Sequence, residues 1–537
     1  MPAQDLLARV AAWVAADPDP LARAEVRALL DAGTPQAEAE LADRFAGPLV
    51  FGTAGLRGPL RAGPNGMNRA VVRRAAAGLA RFLDAQGQSG PVVIGYDARH
   101  GSADFAHDTA AVITATGRAA ALLPRPLPTP VLAYAVRHLD AAAGVMVTAS
   151  HNPPTDNGYK VYLADGAQIA PPVDRDIEAA IAGVGPAAGI AVDERYELLD
   201  EAVLAGYLTR VAGLVPADAA RELTVAYTPL HGVGAAVLIP ALERAGFRRP
   251  HVVAEQEQPD PDFPTVAFPN PEEPGAMDRV LALAARTGAD LALANDPDAD
   301  RCAVAVGPRV LSGDEVGVLL ADYLLRRRPP AGSFATTIVS SGLLGAMCRR
   351  AGVAYAETLT GFKWIVRAAP DLEYGYEEAL GYCVDPTAVR DKDGISAALL
   401  VVAAAAEYRA QGRTLLDRLD DLAAEYGLHA TEQLALRVTD PALIAAAMAT
   451  LRAAPPAQLA GRPTTSVEDL LPRTDAVRLR ADGIRVVVRP SGTEPKLKSY
   501  LEVVAPVPRG DVAGTRAGAA AQLARLRDDV AAALGLP

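Results

Sequence analysis

Gly144-Val145-Met146-Val147-Thr148-Ala149-Ser150-His151-Asn152-Pro153-Pro154 reads as a short apolar strand that hands a serine to a turn. Pro153-Pro154 and then Asn157-Gly158 force a tight loop that cannot continue as helix. The C-terminal end of a strand is where α/β folds carry their chemistry, so this stretch bears on fold class and on one hydroxyl together. Working outward, strands are expected at 92–96, 144–148, 224–227, 291–294, 336–340 and 484–488. Helices are expected at 70–83, 103–116, 315–327 and 395–409. Their alternation implies α/β units with mixed or largely parallel sheets. A strand at 499–504 and a helix at 515–534 close the chain as a smaller α+β module. Before all of these, Leu6, Leu7, Val10 and Val14, then Val26, Leu29 and Leu30, recur at helical spacing and suggest an N-terminal helical cap.

At 537 residues, half of them apolar, the chain exceeds what one hydrophobic core serves, so about three or four domains are expected. A formal net charge of −12, spread along the chain, disfavours nucleic acid and anionic membrane as partners. Residues 1–10 carry Asp5 and no uninterrupted apolar stretch, so no secretory signal is expected. The longest apolar run, 397–406, is far short of the ~20 residues that span a bilayer. Three cysteines without a CxxC pair argue against a disulfide framework and for a reducing, cytoplasmic setting. Only five lysines (Lys160, Lys363, Lys392, Lys496, Lys498) stand against 47 arginines. Drift in a GC-rich genome explains that scarcity but not the placement, since four of the five lie in or beside the motifs that follow. Lys392, in Asp391-Lys392-Asp393-Gly394, has no role legible from sequence.

Ser150 alone would be an ordinary turn serine, and a serine nucleophile needs activation or a phosphate already in place. Downstream, the apolar Leu291-Ala292-Leu293-Ala294 leads into Asp296-Pro297-Asp298-Ala299-Asp300-Arg301. Alternating residues of an extended loop project to one side, so three carboxylates can converge on a hard cation such as Mg2+ and leave room for a phosphate oxygen. An EF-hand is excluded: its sixth position needs glycine and holds Arg301, and its twelfth needs glutamate and holds Gly307. An aspartyl-phosphate enzyme with Asp296 as nucleophile stays open, as does the DxD of nucleotide-sugar transferases. The bland alternative is a solvated acidic loop.

Arg489-Pro490-Ser491-Gly492-Thr493-Glu494-Pro495, followed by Lys496 and Lys498, gathers guanidinium, hydroxyls, an open backbone and two ammonium groups within ten residues. Those are the donors a phosphate dianion accepts from. Phe51-Gly52-Thr53-Ala54-Gly55-Leu56-Arg57-Gly58 is a second glycine-opened loop, with Arg57 placed to meet an anion. Thr360-Gly361-Phe362-Lys363-Trp364 sets a cation beside an aromatic ring. Gly375-Tyr376-Glu377-Glu378-Ala379-Leu380-Gly381 offers adjacent carboxylates to sugar hydroxyls, although paired glutamates are most often an exposed helix face.

The strings TASHNPP (148–154), DPDADR (296–301) and RPSGTEP (489–495) are joined by Gly95-Tyr96-Asp97-Ala98-Arg99, Tyr227-Thr228-Pro229-Leu230-His231-Gly232 and Phe268-Pro269-Asn270-Pro271-Glu272-Glu273. Over about residues 48–505 the set resembles the α-D-phosphohexomutase superfamily of phosphoglucomutases, phosphomannomutases and relatives. The resemblance implies an α/β fold class: three successive α/β domains of similar topology plus a smaller C-terminal α+β domain around a central cleft. With polar Gly/Pro stretches near 183–205, 307–314 and 425–435, the expected division is a helical extension at 1–47, domain I at 48–200 with a phosphoserine loop, domain II at 201–308 with a metal loop, domain III at 309–428 with a sugar-binding loop, and domain IV at 429–537 with a phosphate-binding loop.

Carried over by position, Ser150 resembles the phosphoserine, and Asp296, Asp298 and Asp300 resemble the Mg2+ ligands, with the Ser150 phosphate as a further ligand. Arg57 and Lys160 resemble basic residues beside the reacting centre, and Arg301 the arginine that closes the metal loop. Gly361, Lys363, Glu377 and Ala379 fall in the sugar-binding stretches; Arg489, Ser491, Gly492, Thr493 and Lys498 match the loop for the distal phosphate. The implied activity interconverts sugar 1-phosphate and 6-phosphate, glucose first among the sugars, through a phosphoserine enzyme and a sugar bisphosphate. Mg2+ and a sugar 1,6-bisphosphate activator are the implied cofactors, a phosphosugar the partner, and a monomer or dimer the assembly. An electropositive site is expected to depress the Lys160 pKa towards proton transfer. Glu377-Glu378-Ala379 departs from the Glu-Ser of many members, and EEALGY with FGTAGLRG resembles a branch that includes phosphopentomutase-like and bisphosphate-forming members. Phosphomannomutase, phosphopentomutase, sugar-1,6-bisphosphate synthase, an aspartyl-phosphate phosphotransferase and a phosphosugar-binding relative without turnover are the alternatives.

Overall fold

The computed structural model describes residues 3–52, 55–327, 331–438, 440–492 and 496–535. They form two compact units, one of residues 1–311 with 381–410 and one of 312–380 with 411–537.

In the first unit the serine-bearing strand Ala143–Val147 lies in a six-stranded sheet. In spatial order the strands are Leu56–Pro59, Asp156–Leu163, Ala143–Val147, Val92–Tyr96, Ala120–Leu122 and Glu197–Leu198. Val92–Tyr96, Ala120–Leu122 and Ala143–Val147 run parallel because the helices Ser102–Ala115 and Thr129–His138 return the chain between them. Val92–Tyr96 and Ala143–Val147 are buried at every residue, which is why they read as unbroken apolar runs. After the serine loop the chain returns antiparallel, with Met146 opposite Lys160, and Leu56–Pro59 then adds with Arg57 opposite Gly158. Two basic residues are thereby brought to the serine end of the sheet.

A second sheet of the same unit sets Leu291–Ala294 between Val225–Thr228, parallel to it, and Ala303–Val306, antiparallel. The Asp296–Arg301 stretch is therefore the connection between antiparallel neighbours. Gly394–Ala410, apolar all round, packs against helix Ala235–Arg244 and is buried at nearly every residue. It absorbs the longest apolar run, and among the described residues no helix is long and apolar enough to cross a membrane. The helices Ala3–Ala16, Pro20–Ala32 and Pro35–Arg44 share a small core of Val10, Val14, Val26, Leu41 and Phe45. Leu7 stays 51% exposed despite its helical spacing, so the stripe that packs is narrower than the pattern suggested.

In the second unit Tyr355–Thr358, Ser333–Thr337 and Leu372–Glu377 run parallel. The strand expected at 336–340 ends at Thr337, because Thr337 Oγ1 accepts the backbone N–H groups of Val339 and Ser340 and turns the chain out of the sheet. The C-terminal sheet holds Leu428–Arg437, Lys496–Ala505, Ile484–Pro490, Val477–Ala481 and Arg462–Asp469 as antiparallel neighbours, with the short Gln458–Leu459 at its edge. Helices Pro441–Ala453 and Val512–Leu534 supply Met448, Leu451, Leu523 and Leu526 to the core against it.

Candidate active site

Ser150 is 2% exposed and its φ of 54° lies in the left-handed region. A non-glycine residue there costs on the order of 1 kcal/mol, so the surroundings must hold it. Arg99 does so: its Nη2 donates to the carbonyls of Ser150 and Asn152, both at 2.6 Å, and its Nη1 to that of Pro153 at 2.8 Å. The Ser150 N–H donates to Thr148 Oγ1 at 2.8 Å, and its Oγ donates to Asp296 Oδ2 at 2.8 Å. His151 Nδ1 is 3.3 Å from the same Oγ. Burial, helped by the charges of Arg301 and Arg57, drives the His151 pKa well below its ordinary value, so its ring is neutral.

Gly55 lets the neighbouring loop approach. Its φ is 88°, and a Cβ there would collide with the Tyr159 carbonyl oxygen. Arg57, two residues on, donates from Nη1 to Asn152 Oδ1 at 3.2 Å. Thr53 and Ala54 of this loop lie outside the described residues.

Asp296, Asp298 and Asp300 are fully buried, and one carboxylate oxygen of each lies within 4.8 Å of the others. Ala299 between them has a φ of 53°. Asp296 accepts from Ser150 through Oδ2 and from the Arg301 N–H through Oδ1 at 3.1 Å. Asp298 Oδ2 accepts from Lys160 Nζ at 2.7 Å and from Thr129 Oγ1 at 2.6 Å. Asp300 Oδ2 accepts from Lys160 Nζ at 3.0 Å, with Lys392 Nζ at 3.3 Å. Asp298 Oδ1 and Asp300 Oδ1 are buried and accept no hydrogen bond among the described residues. An orphaned buried acceptor costs about 1–3 kcal/mol, more when charged. Two of them in an all-oxygen cluster fit a hard divalent cation.

The charges divide unevenly. Burial, reinforced by Asp298 and Asp300, pushes the Asp296 pKa well above its ordinary value. For Asp298, burial and the Asp300 charge are outweighed by Lys160 and Thr129, and its pKa falls. For Asp300, Lys160, Lys392 and Arg301 outweigh burial in the same direction. Burial would lower the Lys160 pKa, but Asp298 and Asp300 raise it further. The expectation of a depressed lysine is corrected: two carboxylates within 3.0 Å hold the ammonium charged. Arg301 reaches Glu272 Oε2 from Nη1 at 3.2 Å, which gives the Asn270-Pro271-Glu272 stretch a part in bracing the loop.

Three groups at this site escaped sequence reasoning. Arg99 was visible only as part of a supporting string. Thr129 carried no signal. Lys392 stood in a turn without a role; it arrives because Gly394 packs so close to the Arg301 carbonyl that a Cβ would not fit. Asp391 beside it accepts from Tyr162 Oη at 2.7 Å and Gln168 Nε2 at 2.6 Å.

The first unit thus brings Ser150, Arg57, Lys160, Arg301 and the three aspartates together; the remaining expected site residues belong to the second unit. There Gly361, with a φ of 109°, precedes the short helix Phe362–Ile365 that carries Lys363. Glu377 ends its strand and is half-buried, as is Ala379. Glu378 Oε2 accepts from the hydroxyls of Thr337 and Ser340, each at 3.2 Å. Arg489 and Lys498 lie directly opposite one another on the Ile484–Pro490 and Lys496–Ala505 hairpin, and Ser491 N–H closes it on the Lys496 carbonyl at 2.8 Å. Like charges so paired repel, a cost that a bound anion relieves. Gly492 is exposed; Thr493 lies outside the described residues.

Family models for phosphoglucomutase/phosphomannomutase α/β/α domains I, II and III match residues 48–186, 205–309 and 312–426, and the C-terminal domain model matches 434–508. A Haemophilus influenzae protein named "Probable phosphomannomutase" is 46% identical over 455 residues, covering 81% of this chain and 93% of its own. A Staphylococcus aureus phosphoglucomutase is 33% identical over 513 residues, covering 88% and 92%. A solved phosphoglucomutase/phosphomannomutase family protein of Burkholderia thailandensis shares the fold, with a TM-score of 0.71 at 20% identity over 90% of this chain and 97% of its own. Three α/β domains and a C-terminal domain follow one another in the order the resemblance implied, and the chain belongs to the phosphoglucomutase/phosphomannomutase family of mutases.

Proposed function

We propose that this chain interconverts glucose 1-phosphate and glucose 6-phosphate through a phosphorylated Ser150, with the 1,6-bisphosphate as intermediate and activator. One observation carries the reading: the Ser150 hydroxyl bonds Asp296 at 2.8 Å beside two buried carboxylate oxygens that no described residue satisfies. Asp296, Asp298, Asp300 and the Ser150 phosphate would hold Mg2+, which when bound neutralises charge on the transferring phosphoryl group. In the first half-reaction the bond between phosphorus and Ser150 Oγ breaks as the free hydroxyl of the monophosphate bonds to phosphorus, and the hydroxyl proton ends on the released Ser150 Oγ. In the second, the phosphoryl group the substrate brought passes to Ser150 Oγ as its bond to the sugar oxygen breaks, and that oxygen takes up the serine proton. Lys160 and Arg57, both cationic, stabilise oxygens that gain charge. Gly361, Lys363, Glu377 and Ala379 contact the sugar. Arg489, Ser491, Gly492, Thr493 and Lys498 grip the phosphate that does not react, and that remote binding energy orients the reacting end.

Mannose is the second reading, favoured by the name of the 46% identical relative. Turnover of glucose, mannose and ribose 1-phosphates, with Mg2+ and bisphosphate present, compares kcat/KM on one preparation. The highest value is expected for glucose 1-phosphate, and release of free bisphosphate as the main product would point to a synthase. Ser150→Ala is expected to abolish turnover; a rate near wild type overturns the phosphoserine. Acid-stable phosphate on the peptide containing Ser150 separates this chemistry from an aspartyl phosphate.

A further inference from the structure

Thr129 opens the helix Thr129–His138 and is fully buried. Two bonds tie it to a loop 169 positions away: its N–H donates to the Asp298 carbonyl at 3.0 Å, and its Oγ1 donates to Asp298 Oδ2 at 2.6 Å. The two bonds differ in what they can do. The backbone bond satisfies a helix N-terminal N–H and needs no particular side chain at 129, proline apart. The hydroxyl bond determines how the carboxylate turns about Cβ–Cγ, a torsion with broad, shallow preferences of its own. Lys160 donates to the same Oδ2 from strand Asp156–Leu163, so two donors on separate elements occupy one oxygen. The other oxygen, Oδ1, is left buried with no donor among the described residues.

We infer that Thr129 is a positioning residue of the cation site, its hydroxyl locking the Asp298 carboxylate so that Oδ1 is the oxygen presented to the ion. The inference rests on the reading of the aspartate triplet as that site. Partners of metal-ligating groups commonly contribute 10–100-fold to metal affinity, because they fix ligand orientation before the ion arrives.

Thr129→Val has nearly the same shape, keeps the N–H bond and removes only the hydroxyl; Thr129→Ser restores it. The probe is Mn2+, titrated into the chelator-treated full-length protein with free ion followed by electron paramagnetic resonance, which needs no turnover. Thr129→Val is expected to weaken Mn2+ binding by about 10–100-fold, and Thr129→Ser to return it to within about 2-fold of wild type. Thr129→Ala, a second hydroxyl-free variant, covers the case in which valine does not fold and is expected to weaken binding equally. A hydroxyl-free variant that binds Mn2+ as tightly as wild type overturns the inference, as does equal weakening in valine and serine variants. Wild type and Asp298→Asn run alongside. Absent Mn2+ binding by wild type, or undiminished binding by Asp298→Asn, would overturn the cation site itself and the inference with it.

Discussion

Asp314 offers a test that does not depend on the reaction. It lies in the first turn of helix Gly313–Arg327, 8% exposed, with Oδ1 accepting from the Ser341 N–H at 2.7 Å and from Tyr376 Oη at 3.0 Å. Burial raises its pKa from 3.8 to about 7; the Ser341 bond opposes that rise, and the charges of Glu378 and Glu502 add to it. A carboxyl whose folded pKa lies above its unfolded one favours the folded state fully below pH 3.8. That contribution is lost as pH climbs from there through about 7. At about 1.4 kcal/mol per pH unit, the whole loss is about 4 kcal/mol, of which about 3 kcal/mol falls between pH 5 and pH 9. Asparagine keeps the Oδ1 acceptor and cannot ionise. Asp314→Asn is therefore expected to gain about 3 kcal/mol over wild type on moving from pH 5 to pH 9. Urea unfolding of the full-length protein at both values measures it. Trp364 reports on the second unit once Trp13, in the first, is replaced by Phe in both backgrounds. A stability difference that does not change with pH, or a variant less stable than wild type at pH 9, would falsify the assignment of a buried, protonated Asp314.

Three further perturbations bear on the site. Lys160→Met leaves Asp298 and Asp300 buried with one cation fewer, so in chelator the protein should lose about 3–5 kcal/mol of stability, and less in Mg2+; melting like wild type in chelator would contradict that account. Arg99→Lys keeps the charge but not the fork that holds the carbonyls of Ser150, Asn152 and Pro153, and kcat/KM is expected to fall about 100-fold as the serine loop shifts. Unchanged kcat/KM would show that Arg99 does not place the nucleophile. Arg489→Ala removes a charge-assisted contact of about 1.5–3 kcal/mol, so KM for the monophosphate should rise roughly 10–100-fold; unaltered kinetics would remove Arg489 from phosphate binding.

What could be read in advance depended on how far apart in sequence the relevant atoms lie. Val92–Tyr96 and Leu291–Ala294 match their expected bounds residue for residue, because strands buried on both faces announce themselves as local apolar runs. The aspartate triplet was legible for the same reason, its alternation being a property of five consecutive positions. The strand Ser333–Thr337 ends short of the expected 336–340, since a single side-chain oxygen, Thr337 Oγ1, ends it, and composition does not register that bond. Arg99, Thr129 and Lys392 act on residues 51, 169 and 92 positions away, distances over which sequence does not name the partner.

The misjudged Lys160 pKa follows from the same limit and shows how the site manages its charge. Counting Arg57, Lys160 and Arg301 near a serine suggests a positive environment in which a lysine should lose its proton. The fold instead spends Lys160 on Asp298 and Asp300, adds Lys392 to Asp300, and leaves Asp296 as the one carboxylate that burial and its neighbours push towards neutrality. That ordering is chemically useful. The two aspartates with paired cations stay ionised and keep one oxygen each without a donor among the described residues, while Asp296 retains the bond to Ser150 Oγ. A divalent ion entering the cluster would meet two fixed negative oxygens and displace from the third carboxyl whatever proton it holds at that pH. Ion uptake should therefore release close to one proton where Asp296 is protonated and fewer as pH rises. Mn2+ titration calorimetry in buffers of different ionisation enthalpy reads that number directly, and a proton count of zero at every pH would contradict the unequal division of charge among the three aspartates.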